Sequence, residues 1–264
     1  MEKVFSKDGT PIAFDRVGSG PALILVDGAL CYRGSGPMAP LAAQLAPHFT
    51  VFTYDRRGRG DSGDKGPYAV EREVEDIDAL IKVAGGSALV CGVSSGAALA
   101  LEAANRGLVV RKLALYEAPF IVDDTRAPVP ADIVPQLQRL IDADRRSDAV
   151  RLFMKIVGVP AVFIALMRFM PAWSKLKGVA HTLPYDLTIV SDNQRGRPLP
   201  LTRWTAATVP TLVVAGGKSP AWMRNAMQAL ARVLPSATHR TLEGQTHMVN
   251  AKALAPVLAE FFAN

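Results

Sequence analysis

Five short runs dominated by apolar residues punctuate the chain, at positions 22–26, 50–54, 89–91, 113–116 and 211–215. A run without polar alternation suits a strand covered on both faces, as the strands of parallel sheets are. Between the runs lie stretches with apolar residues at helical spacing, at 38–46, 70–83, 95–106, 221–234 and 249–262. Strand and helix in alternation predict an α/β fold, a mostly parallel sheet with helices on both faces. An N-terminal hairpin precedes them, with residues 4–6 and the alternating 11–16 joined by a turn at Asp8-Gly9. The 264 residues are ample for one such domain with a buried core.

From Phe120 to about Arg203 the alternation stops. No strand is convincing there, yet apolar residues recur at helical spacing, as in Leu152, Phe153, Ile156 and Val157. Pro128, Pro130 and Pro135 mark the start of this stretch, and Pro198 and Pro200 its end. It is too long for a simple crossover. The expected organisation is therefore a core of residues 1–119 and 204–264, interrupted by a helical lid at 120–203. Phe153, Ile156, Val157, Phe163, Leu166, Met167, Phe169, Met170 and Trp173 either line an apolar pocket or pack among themselves.

Composition narrows the function classes. The net charge is +6, with arginines gathered at Arg56-Arg57-Gly58-Arg59. No aromatic–basic interleaving accompanies them, so a solvated basic surface is expected rather than a nucleic-acid partner. The most apolar later stretch, 152–170, is broken by Lys155, Pro160 and Arg168, which argues against a membrane span. Cys31 and Cys91 do not make a disulfide framework, and the first residues carry no apolar signal region. A cytoplasmic location is expected. The four histidines are too dispersed for a metal cluster and no glycine-rich loop matches a nucleotide site, so no cofactor is expected.

The chemistry is written at Gly92-Val93-Ser94-Ser95-Gly96. The bare pattern is weak, but a strand before it and a helix after it make it specific. In such a turn the central serine, Ser94, is strained and exposed as a nucleophile. Glycines flank it because side chains there would strike the neighbouring strand and helix. Adjacent Ser95 is the rival.

In this order the chain resembles the α/β-hydrolase family. The resemblance rests on the 22–26 run with its glycine turn, the loop Asp55-Arg56-Arg57-Gly58-Arg59-Gly60-Asp61-Ser62, the turn at Ser94, the helical insertion and a late histidine. It implies an α/β-hydrolase fold in which that loop is a rigid support for the Ser94 turn rather than a direct participant. It also implies a histidine base before the last helix, and His247 in Gly244-Gln245-Thr246-His247-Met248 stands there, ahead of His48, His181 and His239. The oxyanion hole is expected from the N–H groups of Ser95 and Ala29. Gly28, Leu30, Phe120 and Met248 are the expected substrate contacts. Two departures stand out. Asp27 replaces the family's histidine before Gly28, where a carboxylate suits a turn-forming role better than a place beside an oxyanion. No carboxylate follows the 211–215 run, so Glu117, after the 113–116 run, is the first choice for the acid. Asp123, Asp124, Glu243 or no acid at all remain open.

A serine nucleophile implies acyl transfer. The expectation is a hydrolase for a small hydrophobic ester, thioester or lactone, acting alone or as a homodimer. The same scaffold also supports cofactor-free lyases, cyclases and other tailoring enzymes, and more rarely ligand receptors.

Overall fold

A computed structural model describes residues 1–263. Eight strands form one sheet: β1 (Glu2–Phe5), β2 (Pro11–Val17), β3 (Ala22–Val26), β4 (Thr50–Tyr54), β5 (Ala88–Val93), β6 (Val110–Tyr116), β7 (Thr211–Gly216) and β8 (Ala237–Leu242). Their spatial order is β1-β2-β4-β3-β5-β6-β7-β8. The β1–β2 and β2–β4 pairings are antiparallel, and every pairing from β4 to β8 is parallel. This is the α/β-hydrolase fold.

Helices α1 (Met38–Leu45), α2 (Val70–Val83), α3 (Ser95–Asn105), α9 (Ala221–Val233) and α10 (Ala251–Ala263) flank the sheet. The alternation of side chains along each strand explains why the apolar runs are continuous. Ile24 and Val26 of β3 enter one core with Val90, Leu115 and Val213, under α2, α3 and α9. Leu23 and Leu25 enter the other with Cys91, Ala114 and Val214, under α1 and α10. Helix α3 can lie close to the sheet because its buried residues are mostly alanine and glycine.

Between β6 and β7 the described backbone contains helices α4 (Ile133–Asp142), α5 (Arg146–Ile156), α6 (Ala161–Met167), α7 (Ala172–Gly178) and α8 (Leu183–Val190), and no strand. Its apolar side chains divide between two fates. Trp173 is buried and donates its indole N–H to Ser147 at 3.1 Å. Phe163, Leu166, Met170 and, at 90%, Phe169 are exposed. Among the described residues no helix is long and apolar enough to cross a membrane.

Candidate functional site

The parallel strands deliver their following loops to one end of the sheet, where ligands of open α/β sheets bind. Ser94 follows β5 in a backbone conformation of φ 56° and ψ −126°. A non-glycine residue avoids that region unless its surroundings impose it. Here they do: the Ser94 N–H bonds to the Tyr116 carbonyl at 2.9 Å, and α3 begins one residue later. A Cβ at Gly92 would overlap the Gly96 carbonyl, and one at Gly96 would overlap the carbonyls of Val26 and Asp27. Ser94 itself stays partly exposed. Ser95, its rival, is 3% exposed, and its hydroxyl donates to Asp186 Oδ1 at 2.7 Å.

Glu117 follows β6 with φ 48° and is 0% exposed. Its Oε1 accepts the Gly216 N–H at 2.7 Å, and its Oε2 lies 2.9 Å from His247 Nδ1. His247 comes from the loop after β8, which is tied down where the Tyr116 hydroxyl donates to the Thr246 carbonyl at 2.5 Å. A carboxylate only accepts, so Nδ1 is the donor in this pair and Nε2 is the ring nitrogen left for another partner. Among the described residues no hydrogen bond joins Ser94 Oγ to His247. The other candidate carboxylates lie elsewhere: Asp123 binds Thr125 and Asn225, and Asp124 and Glu243 are exposed.

The remaining histidines are placed apart from this group. His48 lies in the loop entering β4, at the opposite end of the strands. His239 sits on edge strand β8, and His181 faces Asp64 at 4.0 Å.

Gly28 lies directly against the serine, since a Cβ there would be 3.0 Å from Ser94 Cβ and 3.6 Å from its Oγ. Ala29 is partly exposed, and its N–H meets no backbone acceptor among the described residues. The Ser95 N–H, first in α3, has no acceptor within its helix. Leu30 is buried with φ 62°. Asp27 turns inward as a turn-former would, Oδ1 accepting the Gly28 N–H at 2.8 Å. Burial pushes its pKa up to about 7, against the opposing pull of that N–H, Arg59 and Arg56.

Two expectations need correction. Phe120 is not at the site surface; it is 1% exposed and stacks on Trp204 with centroids 5.7 Å apart, because both rings belong to the core beneath the helical insertion. Met248, by contrast, is 79% exposed. The arginines of the 55–62 loop are not a solvated surface. Arg56, Arg57 and Arg59 are buried, and each is neutralised by carboxylates: Arg56 by Glu73 and Asp186, Arg57 by Asp76 and Asp8, Arg59 by Asp186. Burial alone would raise the Asp186 pKa, but Arg59, Arg56 and the Ser95 hydroxyl outweigh it and hold the carboxyl below its ordinary value. Asp186 was not anticipated from sequence. Its signal was a lone carboxylate in the otherwise apolar helical stretch Leu183-Pro184-Tyr185-Asp186-Leu187.

Comparison with known proteins decides the family. The family model described as "Alpha/beta hydrolase family" matches residues 18–260. The chain belongs to the α/β-hydrolase family. An α/β hydrolase from Sphaerobacter thermophilus superposes with a TM-score of 0.91 at 53% identity, covering 99% of this chain and 100% of that one. A pimeloyl-[acyl-carrier protein] methyl ester esterase from Xanthomonas axonopodis pv. citri is 28% identical over 95% of this chain and 98% of its own. The enol-lactonase from Burkholderia xenovorans shares the fold, with a TM-score of 0.70 at 23% identity over 100% of both chains. This α/β hydrolase is thus an enzyme of the hydrolase class, and its distant relatives include esterases.

Proposed function

We propose that this α/β hydrolase cleaves small hydrophobic esters, thioesters or lactones through an acyl-enzyme on Ser94, with His247 as base and Glu117 orienting it. The observation that carries the reading is the 2.9 Å bond from His247 Nδ1 to a Glu117 that is itself fixed by the Gly216 N–H. Together these leave Nε2 free for a proton.

In the first step Ser94 Oγ bonds to the substrate carbonyl carbon while its proton passes to His247 Nε2. The negative charge that develops on the carbonyl oxygen is met by the N–H groups of Ala29 and Ser95. Collapse expels the alcohol or thiol, which takes the proton from His247. Water then gives a proton to Nε2 as its oxygen bonds to the acyl carbon; collapse breaks the bond to Ser94 Oγ, which takes that proton back, and the acid leaves. Ser94 and His247 are not hydrogen-bonded in this structure, and catalytic contacts of this kind form or tighten in the substrate complex.

The substrate class draws support from two sides. Relatives named as an esterase and an enol-lactonase act on carboxylic esters in open and cyclic form. The helices between β6 and β7 act as a cap, and the apolar preference rests on the side chains they leave exposed, among them Phe163, Leu166 and Met170.

The test is intact mass after treatment with a fluorophosphonate. Wild type is expected to gain a single adduct, and Ser94→Ala none. A folded but unlabelled wild type would overturn the acyl-enzyme and favour proton-transfer chemistry of the lyase or cyclase kind on the same scaffold.

A further inference from the structure

The interior of the site holds a guanidinium that no step above uses. Arg59 Nη1 donates to the Gly28 carbonyl at 2.6 Å and to the Cys31 carbonyl at 3.1 Å. Its Nη2 binds Asp186 Oδ2 at 2.6 Å, and its Nε donates to Thr182 Oγ1 at 3.1 Å. Asp186 and Thr182 both belong to the segment between β6 and β7. Arg59 is therefore clamped on one side by that segment, and grips the loop after β3 with the other.

The carbonyl of Gly28 and the N–H of Ala29 belong to one peptide unit. In a trans peptide these two groups point in opposite directions. Drawing the Gly28 oxygen inward onto Arg59 turns the Ala29 N–H outward, on the flank where Gly28 touches Ser94. A cation on the carbonyl also polarises the whole peptide, which makes its N–H a stronger donor. Arg56 reinforces the same loop, since its Nη1 reaches the Asp27 carbonyl at 3.2 Å and Ser95 Oγ at 3.3 Å.

We propose that Arg59 is a positioning residue for the oxyanion hole: anchored by Asp186, it aims and polarises the Ala29 N–H through the Gly28 carbonyl. The inference rests on the acyl-enzyme reading above. It also ties the cap to the reaction, because the carboxylate that holds Arg59 is carried by α8.

The test compares Arg59→Met, Arg59→Lys and Asp186→Asn with wild type. Two readouts are taken: hydrolysis of p-nitrophenyl acetate, and the Ala29 ¹⁵N–¹H cross-peak of the labelled protein. Loss of one oxyanion donor costs on the order of 10²–10³ in kcat. Arg59→Met is expected to lose about 10²-fold in kcat at a KM within about twofold of wild type, with the Ala29 cross-peak moved. Arg59→Lys keeps a charged donor for one carbonyl, and should recover part of kcat and stand in should the Met variant not fold. Asp186→Asn weakens the anchor but leaves the Arg59–Gly28 bond, so it should lose less kcat than Arg59→Met while moving the Ala29 cross-peak in the same direction. Equal loss of kcat in Arg59→Met and Asp186→Asn would reduce the effect to general loosening and overturn the proposal. So would an unmoved Ala29 cross-peak in folded Arg59→Met. That cross-peak needs no turnover, so an inactive wild type would defeat the hydrolase reading while still leaving the role of Arg59 decided.

Discussion

Glu117 shares neither carboxylate oxygen with solvent, and that makes its amide replacement informative. The Gly216 N–H requires an oxygen on its side, so in Glu117→Gln the new NH₂ must face His247. Nδ1 would then accept, Nε2 would carry the proton, and the base we propose would be in the wrong tautomer. A loss of about 10⁴ in kcat is expected. Steady-state kinetics on the folded variant check this, and a loss under about tenfold would remove Glu117 from its orienting role. Asp27 supplies the pH dependence. Its carboxyl moves from 3.8 to about 7 on burial, so the folded state holds a proton that the unfolded chain has released. Stability from this group is whole below about pH 4, falls as pH rises, and is gone above about 7, a span worth a few kcal/mol by order of magnitude. Asp27→Asn should therefore raise the urea midpoint more at pH 8 than at pH 5. It should also gain activity over wild type above pH 7, where the native carboxylate sets a negative charge beside the Ala29 peptide. Parallel pH–rate profiles for the two proteins would count against that account.

At the scale of elements, the turn at Ser94 depends on how closely α3 approaches β3. Gly96→Ala drives a methyl into the carbonyls of Val26 and Asp27, which are backbone atoms with nowhere to move. We expect about 3 kcal/mol or more of destabilisation, read from the urea midpoint, with Ser94 displaced even in the folded fraction. A loss below about 1 kcal/mol would mean that α3 can slide. The same closeness made this region legible in advance, since only glycine fits at 92 and 96. The limits of β3, β4 and α2 coincide with the patterns at 22–26, 50–54 and 70–83, because double-sided burial and an amphipathic face leave unambiguous periodicities. Ser94, Glu117 and His247 were each marked by position relative to a strand or helix. The meeting of Glu117 with His247 was not legible from local pattern, for they are 130 residues apart and only the strand order brings them together. Phe120 was misread for a related reason. It follows the strand end that carries Glu117, and nothing local announces that Trp204 will cover it.

Across the whole molecule, buried charge joins parts that the apolar cores keep separate. Arg56 links the loop after β4 to Glu73 of α2, Asp186 of α8 and Ser95 of α3. Composition alone reads such arginines as surface, because the carboxylates that neutralise them lie 17 and 130 residues away. Arg56→Met would leave Glu73 and Asp186 short of a cation in the interior, at a cost of about 3–5 kcal/mol. Equilibrium denaturation measures it, and a shift of less than about 1 kcal/mol would show that Arg59 suffices to hold Asp186, and the Tyr68 hydroxyl, donating to Glu73 Oε2 at 2.9 Å, suffices to hold Glu73. The stack of Phe120 on Trp204 has a different reach. One ring stands just past β6 and the other shortly before β7, so the chain leaves the sheet and rejoins it at a single closed joint. The helices strung between those rings form a cassette. A change of length confined to the stretch between those rings would leave the joint, and with it the spacing of β6 and β7, in place.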